Sequence, residues 1–119
     1  MTVTPPRALA PKISIWTDNS TALDYEIAQE KASTLGRLGR ALETARAALK
    51  AFDAQTIAAT AQTRAERKAL VAEAGHALWL FVVQREALGL RDSRQVMRDY
   101  AVPPDVQGRM GMLPARKSR

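Results

Sequence analysis

The chain has 119 residues and a mass of 13.0 kDa, enough for one domain with its own hydrophobic core. It has no cysteine and a single histidine, which excludes disulfides, thiol nucleophiles, thiolate metal sites and His-pair metal sites. The formal net charge of +6 is uneven: +1 over residues 1–20, 0 over 21–53, +1 over 54–90 and +4 over 91–119.

A near-neutral body with a basic end suggests an anionic partner only where the cations share a face. Hydrophobic residues make up 46% and charged residues 25%, which suits a globular chain rather than a disordered one. The longest apolar run, Ala77 to Val83, is far short of the roughly 20 residues of a membrane span. Met1 to Lys12 has no apolar run of the kind a signal peptide needs. The expected location is the cytoplasm, with no membrane contact.

Residues 1–20 read as an extended or disordered arm, because Pro5, Pro6 and Pro11 disfavour helix. Ile13, Ile15 and Trp16 are the arm's candidates for docking on the body. A first helix is expected over about 22–52, with Thr21 and Asp24 at capping-box spacing. Leu35, Leu38, Leu42, Ala45, Leu49 and Phe52 follow a 3-4-3-4-3 rhythm, the a/d seam of a coiled coil. Gly36 and Gly39 interrupt this helix, each costing about 1 kcal/mol relative to alanine. Close approach of another backbone would offset that cost; a kink or a drifted surface is the alternative.

After a connection over Asp53 to Gln62, Thr63 and Glu66 make a second capping signal. The second helix is expected over about 63–88, stopped by Gly89. Leu78, Trp79 and Phe81 lie in its densest apolar stretch, where apolar residues run round the whole helix and need cover on every side. Asp92 and Gln95 suggest a short helix over about 93–101, and Pro104 opens another over about 104–110. The single helical domain is thus expected over 21–111, with 112–119 as a disordered basic tail.

Candidate chemistry is sparse. Glu73 stands three positions before His76, the spacing of a carboxylate-held general base. No nucleophile or oxyanion loop accompanies the pair, so a solvated or interface histidine is the better reading. Glu26 and Glu30 lie one turn apart, but a di-iron site needs paired Glu-x-x-His motifs and only Glu73 and His76 supply one. In an antiparallel hairpin, Tyr25, Glu26 and Glu30 would come near Gln84, Arg85 and Glu86 as a polar cluster. Arg91, Arg94 and Arg98 share one helical face, a candidate for anion contacts, whereas Val96, Met97 and Tyr100 share the other. Asp92 and Asp99 flank the arginines, which favours an ordinary solvated face. The two short helices have the outline of a helix-turn-helix without a base-reading pattern.

Leu23 to Ala32 followed by Leu35-Gly36-Arg37 carries a family likeness, as do Ala77-Leu78-Trp79, Gln84-Arg85-Glu86, Gly89-Leu90-Arg91-Asp92 and Met97-Arg98-Asp99-Tyr100 before Val102-Pro103. In order, over about residues 22–111, they resemble a family of short uncharacterised proteins of alphaproteobacteria, a domain of unknown function. The resemblance implies a complete small protein rather than an enzyme fragment, and it transfers no activity or site residue.

The reading of the residues is all-α: a long antiparallel helical hairpin with two short C-terminal helices. The expected function is non-enzymatic, without cofactor or metal: an interaction or adaptor module that self-associates, as a homodimer or with another protein. Gly36, Gly39, Leu78, Trp79 and Phe81 are its candidate interaction residues. The alternative is a nucleic-acid-associated regulator working through the C-terminal arginines.

Overall fold

A computed structural model describes residues 4–112, with side chains described from residue 21 onward. Its helices are α1 (Thr4–Gln55), α2 (Ala61–Ala87), α3 (Ser93–Asp99) and α4 (Pro104–Arg109), with no strand among the described residues. The chain divides into two compact units, 1–34 and 35–119. The expected all-α class and the order of two long helices before two short ones are both found.

The start of α1 is not where it was expected. The helix begins at Thr4 and passes through Thr21 without a cap. Pro5 and Pro6 fall in the first turn, where backbone N–H groups have no intrahelical acceptor to lose. Pro11 removes one bond of the ladder, a single defect that helix on both sides of it outweighs. Docking by Ile13, Ile15 and Trp16 lies outside the described side chains, and the expected disorder of 113–119 lies outside the described residues.

Within the second unit, Asp53 near the end of α1 bonds Arg67 near the start of α2, and Gly39 lies against Phe81 further along. Each step up one helix is matched by a step down the other, so the pair is antiparallel. The heptad seam forms their contact: Leu42 and Leu49 are fully enclosed with Val71, Ala74 and Leu78, and Leu35, Leu38 and Ala45 pack beside them. Val96 of α3, Val102 of the following turn and Val106 of α4 close the same core from one side. Each buried Val or Leu contributes about 1.5–3 kcal/mol of transfer free energy.

The ends of α2 show how local chemistry sets its length. Its N-cap is Thr60, three residues earlier than the expected cap at Thr63. The Thr63 backbone N–H donates to the Thr60 hydroxyl at 3.1 Å, and the Thr60 N–H donates to the Thr63 hydroxyl at 2.8 Å. The two threonines thus make a reciprocal capping box, with Thr63 in the place usually held by Glu or Gln. Glu66 accepts instead from the Gln62 side-chain amide.

At the other end Gly89 has φ +86°, as expected of a helix stop. Its N–H donates to the Glu86 carbonyl and that of Leu90 to the Arg85 carbonyl, a Schellman motif. Helix α3 ends the same way: Ala101 donates to Arg98 and Val102 to Met97, with Ala101 in the left-handed region at φ 49°. Asp92 is the N-cap residue of α3, yet its carboxylate makes no capping bond.

Candidate functional site

One side of the hairpin is sealed by α3 and α4. Tyr100 at the end of α3 packs edge-on against Phe81 with ring centroids 5.3 Å apart. Its hydroxyl stands where Gly39 leaves space, 2.8 Å from where a Cβ would be. Arg85 lies over the outer face of the Phe81 ring, 5.9 Å from its centroid, a cation–π contact. Further along, α4 rests on Gly75, where a Cβ would meet Arg109 Cβ at 2.7 Å and its backbone carbonyl at 3.1 Å.

Arg67 ties three helices together. Its Nε and Nη2 donate to the two carboxylate oxygens of Asp53 at 2.8 and 3.1 Å, and its Nη1 donates to Asp105 at 2.7 Å. The fork of hydrogen bonds holds the Asp53 carboxyl below its ordinary pKa and raises that of the guanidinium, chiefly through the Asp53 bond. These side chains stay about two-fifths exposed, so the clamp fixes geometry more than it adds energy. Residues far apart in sequence make it, and no local spacing signals it.

The opposite side of the hairpin is open. There α1 and α2 enclose a groove of about 650 Å³. Its α1 wall carries Arg37, Arg40, Ala41, Thr44 and Ala48; its α2 wall carries Glu73, His76 and Leu80; Leu38, Ala45 and Ala77 form the floor. The spacing continues beyond the groove along both helices. Arg37, Ala41, Thr44, Ala48, Ala51 and Gln55 are all exposed on α1. On α2 the matching row is Ala69, Glu73, His76, Leu80, Val83 and Ala87, with Val83 44% exposed. Along the middle of this face small side chains on α1, Ala41, Thr44, Ala48 and Ala51, stand beside larger ones on α2, Glu73, His76, Leu80 and Val83.

The expected interaction residues separate into different environments. Leu78 is fully enclosed and Phe81 nearly so, hence both are core. Gly39 is a place of close approach, whereas a Cβ on Gly36 would meet only Arg40 at an ordinary 3.5 Å. The close packing expected at Gly36 is therefore not found: no atom of another helix lies within 4 Å of that position. Trp79 is 38% exposed, stacks on His76 with centroids 6.3 Å apart, and borders Gly111 after α4. Cover on every side of α2 is not found either, since Trp79 and Val83 remain open.

Tyr25, Glu26 and Glu30 are exposed residues of the first unit; Glu26 and Glu30 border a shallow hollow with Gln29 and Ser33. Gln84 and Arg85 are half-buried and Glu86 exposed in the second unit. Arg94 and Arg98 of α3 are exposed, and so is Arg91, which precedes the helix and therefore does not share its face as expected; Val96, Met97 and Tyr100 turn inward. His76 has Glu73 beside it on the groove wall and no serine or threonine other than Thr44 among the lining residues. Among the described residues no group of three or more His, Asp or Glu is placed to hold a metal ion. None of the described helices is long and apolar enough to cross a membrane.

Comparison with curated proteins and with solved structures finds no match. A family model does match, over residues 12–118, and so takes in most of α1 and all of α2, α3 and α4. The chain belongs to a family of unknown function, DUF6665.

Proposed function

We propose that this protein is a non-enzymatic helical interaction module that self-associates through the open face of its hairpin. The observation that carries this reading is the asymmetry of the hairpin: α3 and α4 cover one side, while the other leaves an alanine-lined groove exposed. Paired amphipathic helices gain stability from cover on both faces, and a coiled-coil seam beside a second exposed row is the pattern of a bundle with more helices. Leu80 lines the groove with Ala41, Ala45, Ala48 and Ala77, and Val83 extends its apolar surface, a lining suited to packing against another protein surface. The location this reading implies is the cytoplasm.

Light scattering over a concentration series tests it. A mass moving from 13.0 kDa toward twice that value as concentration rises through the micromolar range is expected. A mass fixed at that of one chain up to several hundred micromolar (about the weakest association worth the name) would overturn it.

A further inference from the structure

We infer that the occupant of the open groove is the same face of a second copy, related by a two-fold axis parallel to the hairpin, with Leu80 of each copy seated over Ala41 of the other. This deepens the self-association reading and rests on it. The argument comes from the unlike walls of the groove. The α1 wall is small and basic, with Arg37 and Arg40 flanking Ala41, Thr44 and Ala48. The α2 wall is larger and acidic, with Glu73 below His76 and Leu80, and Val83 beyond.

Two copies can face each other in two symmetric ways. An axis across the hairpin sets α1 on α1 and α2 on α2. That arrangement leaves the small residues of α1 facing small ones and the larger residues of α2 facing larger ones. An axis along the hairpin sets α1 of each copy on α2 of the other. Large then meets small, the self-complementarity an isologous interface requires.

The axis along the hairpin also fixes the register. Gly39 lies at the height of Phe81 and Asp53 at that of Arg67, so Ala41 and Leu80 differ by about one residue of rise. A rotation about the hairpin's own direction preserves height. Leu80 therefore arrives over the gap at Ala41, bounded by Arg37, Arg40 and Thr44, as a knob enters a hole.

The exposed rows from Arg37 to Gln55 and from Ala69 to Ala87 are each about 27 Å long at 1.5 Å per residue. At a width of about 20 Å for two helices, the pair would bury on the order of 1,100 Å² in total, near the lower limit of specific interfaces. The dimer should accordingly be weak and its subunits should exchange readily.

Because the native chain has no cysteine, single-cysteine variants report this arrangement without background. Ala41→Cys and Leu80→Cys chains are mixed at high micromolar concentration, oxidised, and compared with each variant alone. The inference expects a disulfide-linked heterodimer in the mixture and little linkage of either variant with itself. Circular dichroism checks that both variants keep the helicity of the native chain. A dimer by light scattering that gives no mixed product, or that links Ala41→Cys to itself, would overturn the groove register while leaving self-association standing. A monomer in every sample would overturn both. Ala41→Trp provides a second reading: filling the hole should weaken association at least tenfold without lowering helicity, and unchanged association would count against the inference.

Discussion

Gly75 and Arg109 stand so close that a single added carbon cannot fit between them: a Cβ on Gly75 would lie 2.7 Å from Arg109 Cβ and 3.1 Å from its carbonyl carbon. Since the obstruction includes backbone, α4 would have to move as a unit. The Gly75→Ala variant should therefore lose about 1–3 kcal/mol despite alanine's better helix propensity. At Gly39 the obstacle is the tip of Tyr100 and the edge of Phe81, which can yield, so Gly39→Ala should cost less. At Gly36 only an arginine tip lies within contact, and Gly36→Ala should stabilise by up to about 1 kcal/mol. Urea titration of the three variants checks this order, and a stabilised Gly75→Ala would refute the packing of α4.

The Schellman turn after α3 places Ala101 at φ 49°, where the corresponding residue after α2 is Gly89. A side chain in the left-handed region is strained by about 1 kcal/mol or more, and glycine relieves that strain at some entropic cost in the unfolded chain. Ala101→Gly should raise stability by about 0.5 kcal/mol, whereas Gly89→Ala, which has open space round its Cβ, should lower it by about 1 kcal/mol through backbone strain alone. Thermal melts of the two variants should shift in opposite directions.

Much of this fold could be read from spacing. The rhythm from Leu35 to Leu49 placed the α1–α2 contact because a buried helix face must repeat every three or four residues. Gly89 and Pro104 marked their helix boundaries because φ and the missing N–H act locally. What spacing did not yield is tertiary. Gly75 is a mid-helix glycine like Gly36, and nothing in the neighbouring residues says that Arg109 lies on one while the other meets only the side chain of Arg40. Thr60 and Thr63 could each have capped α2; the choice fell to the pair whose hydroxyls serve each other's N–H. Of the candidate site, the rows on α1 and α2 are visible in the sequence, but which row faces the core and which stays open depends on where α3 and α4 land.

The Arg67 clamp gives a pH-dependent signature. The Asp53 carboxyl titrates below its ordinary range in the folded chain because Arg67 donates to it. A carboxyl with a lowered folded pKa contributes stability above the unfolded value near pH 4, and that contribution is lost as pH falls through the folded value. Arg67, raised further above neutrality, stays charged throughout and adds no slope of its own. The native chain should exceed Asp53→Asn in stability by a constant margin of up to about 1 kcal/mol between about pH 5 and 8. The margin should shrink below about pH 4, and a margin that instead grew with acid would contradict the lowered pKa.

Arg91, Arg94 and Arg98 offer the sharpest contrast between an exposed charged face and a binding one. All three are exposed, Arg94 and Arg98 on α3 and Arg91 just before it, while Val96 of α3 is buried, so replacing the arginines with glutamine removes charge without touching the core. Unfolding of the triple variant should match that of the native chain within about 0.5 kcal/mol. Duplex DNA provides the functional readout. Three phosphate contacts would add roughly 3 to the magnitude of the log–log salt slope, at about 0.9 per phosphate. Arg116, Lys117 and Arg119 would add a slope of their own, so the comparison is repeated with both chains shortened to end at Gly111. Because Asp92, the N-cap residue of α3, and Asp99 at its end are exposed beside the arginines and dilute their field, the expected outcome is weak binding that vanishes near physiological salt in native and variant chains alike. Tight binding to one sequence at about 150 mM salt, lost in the triple variant, would instead make α3 a nucleic-acid-reading element and displace the open groove as the functional face.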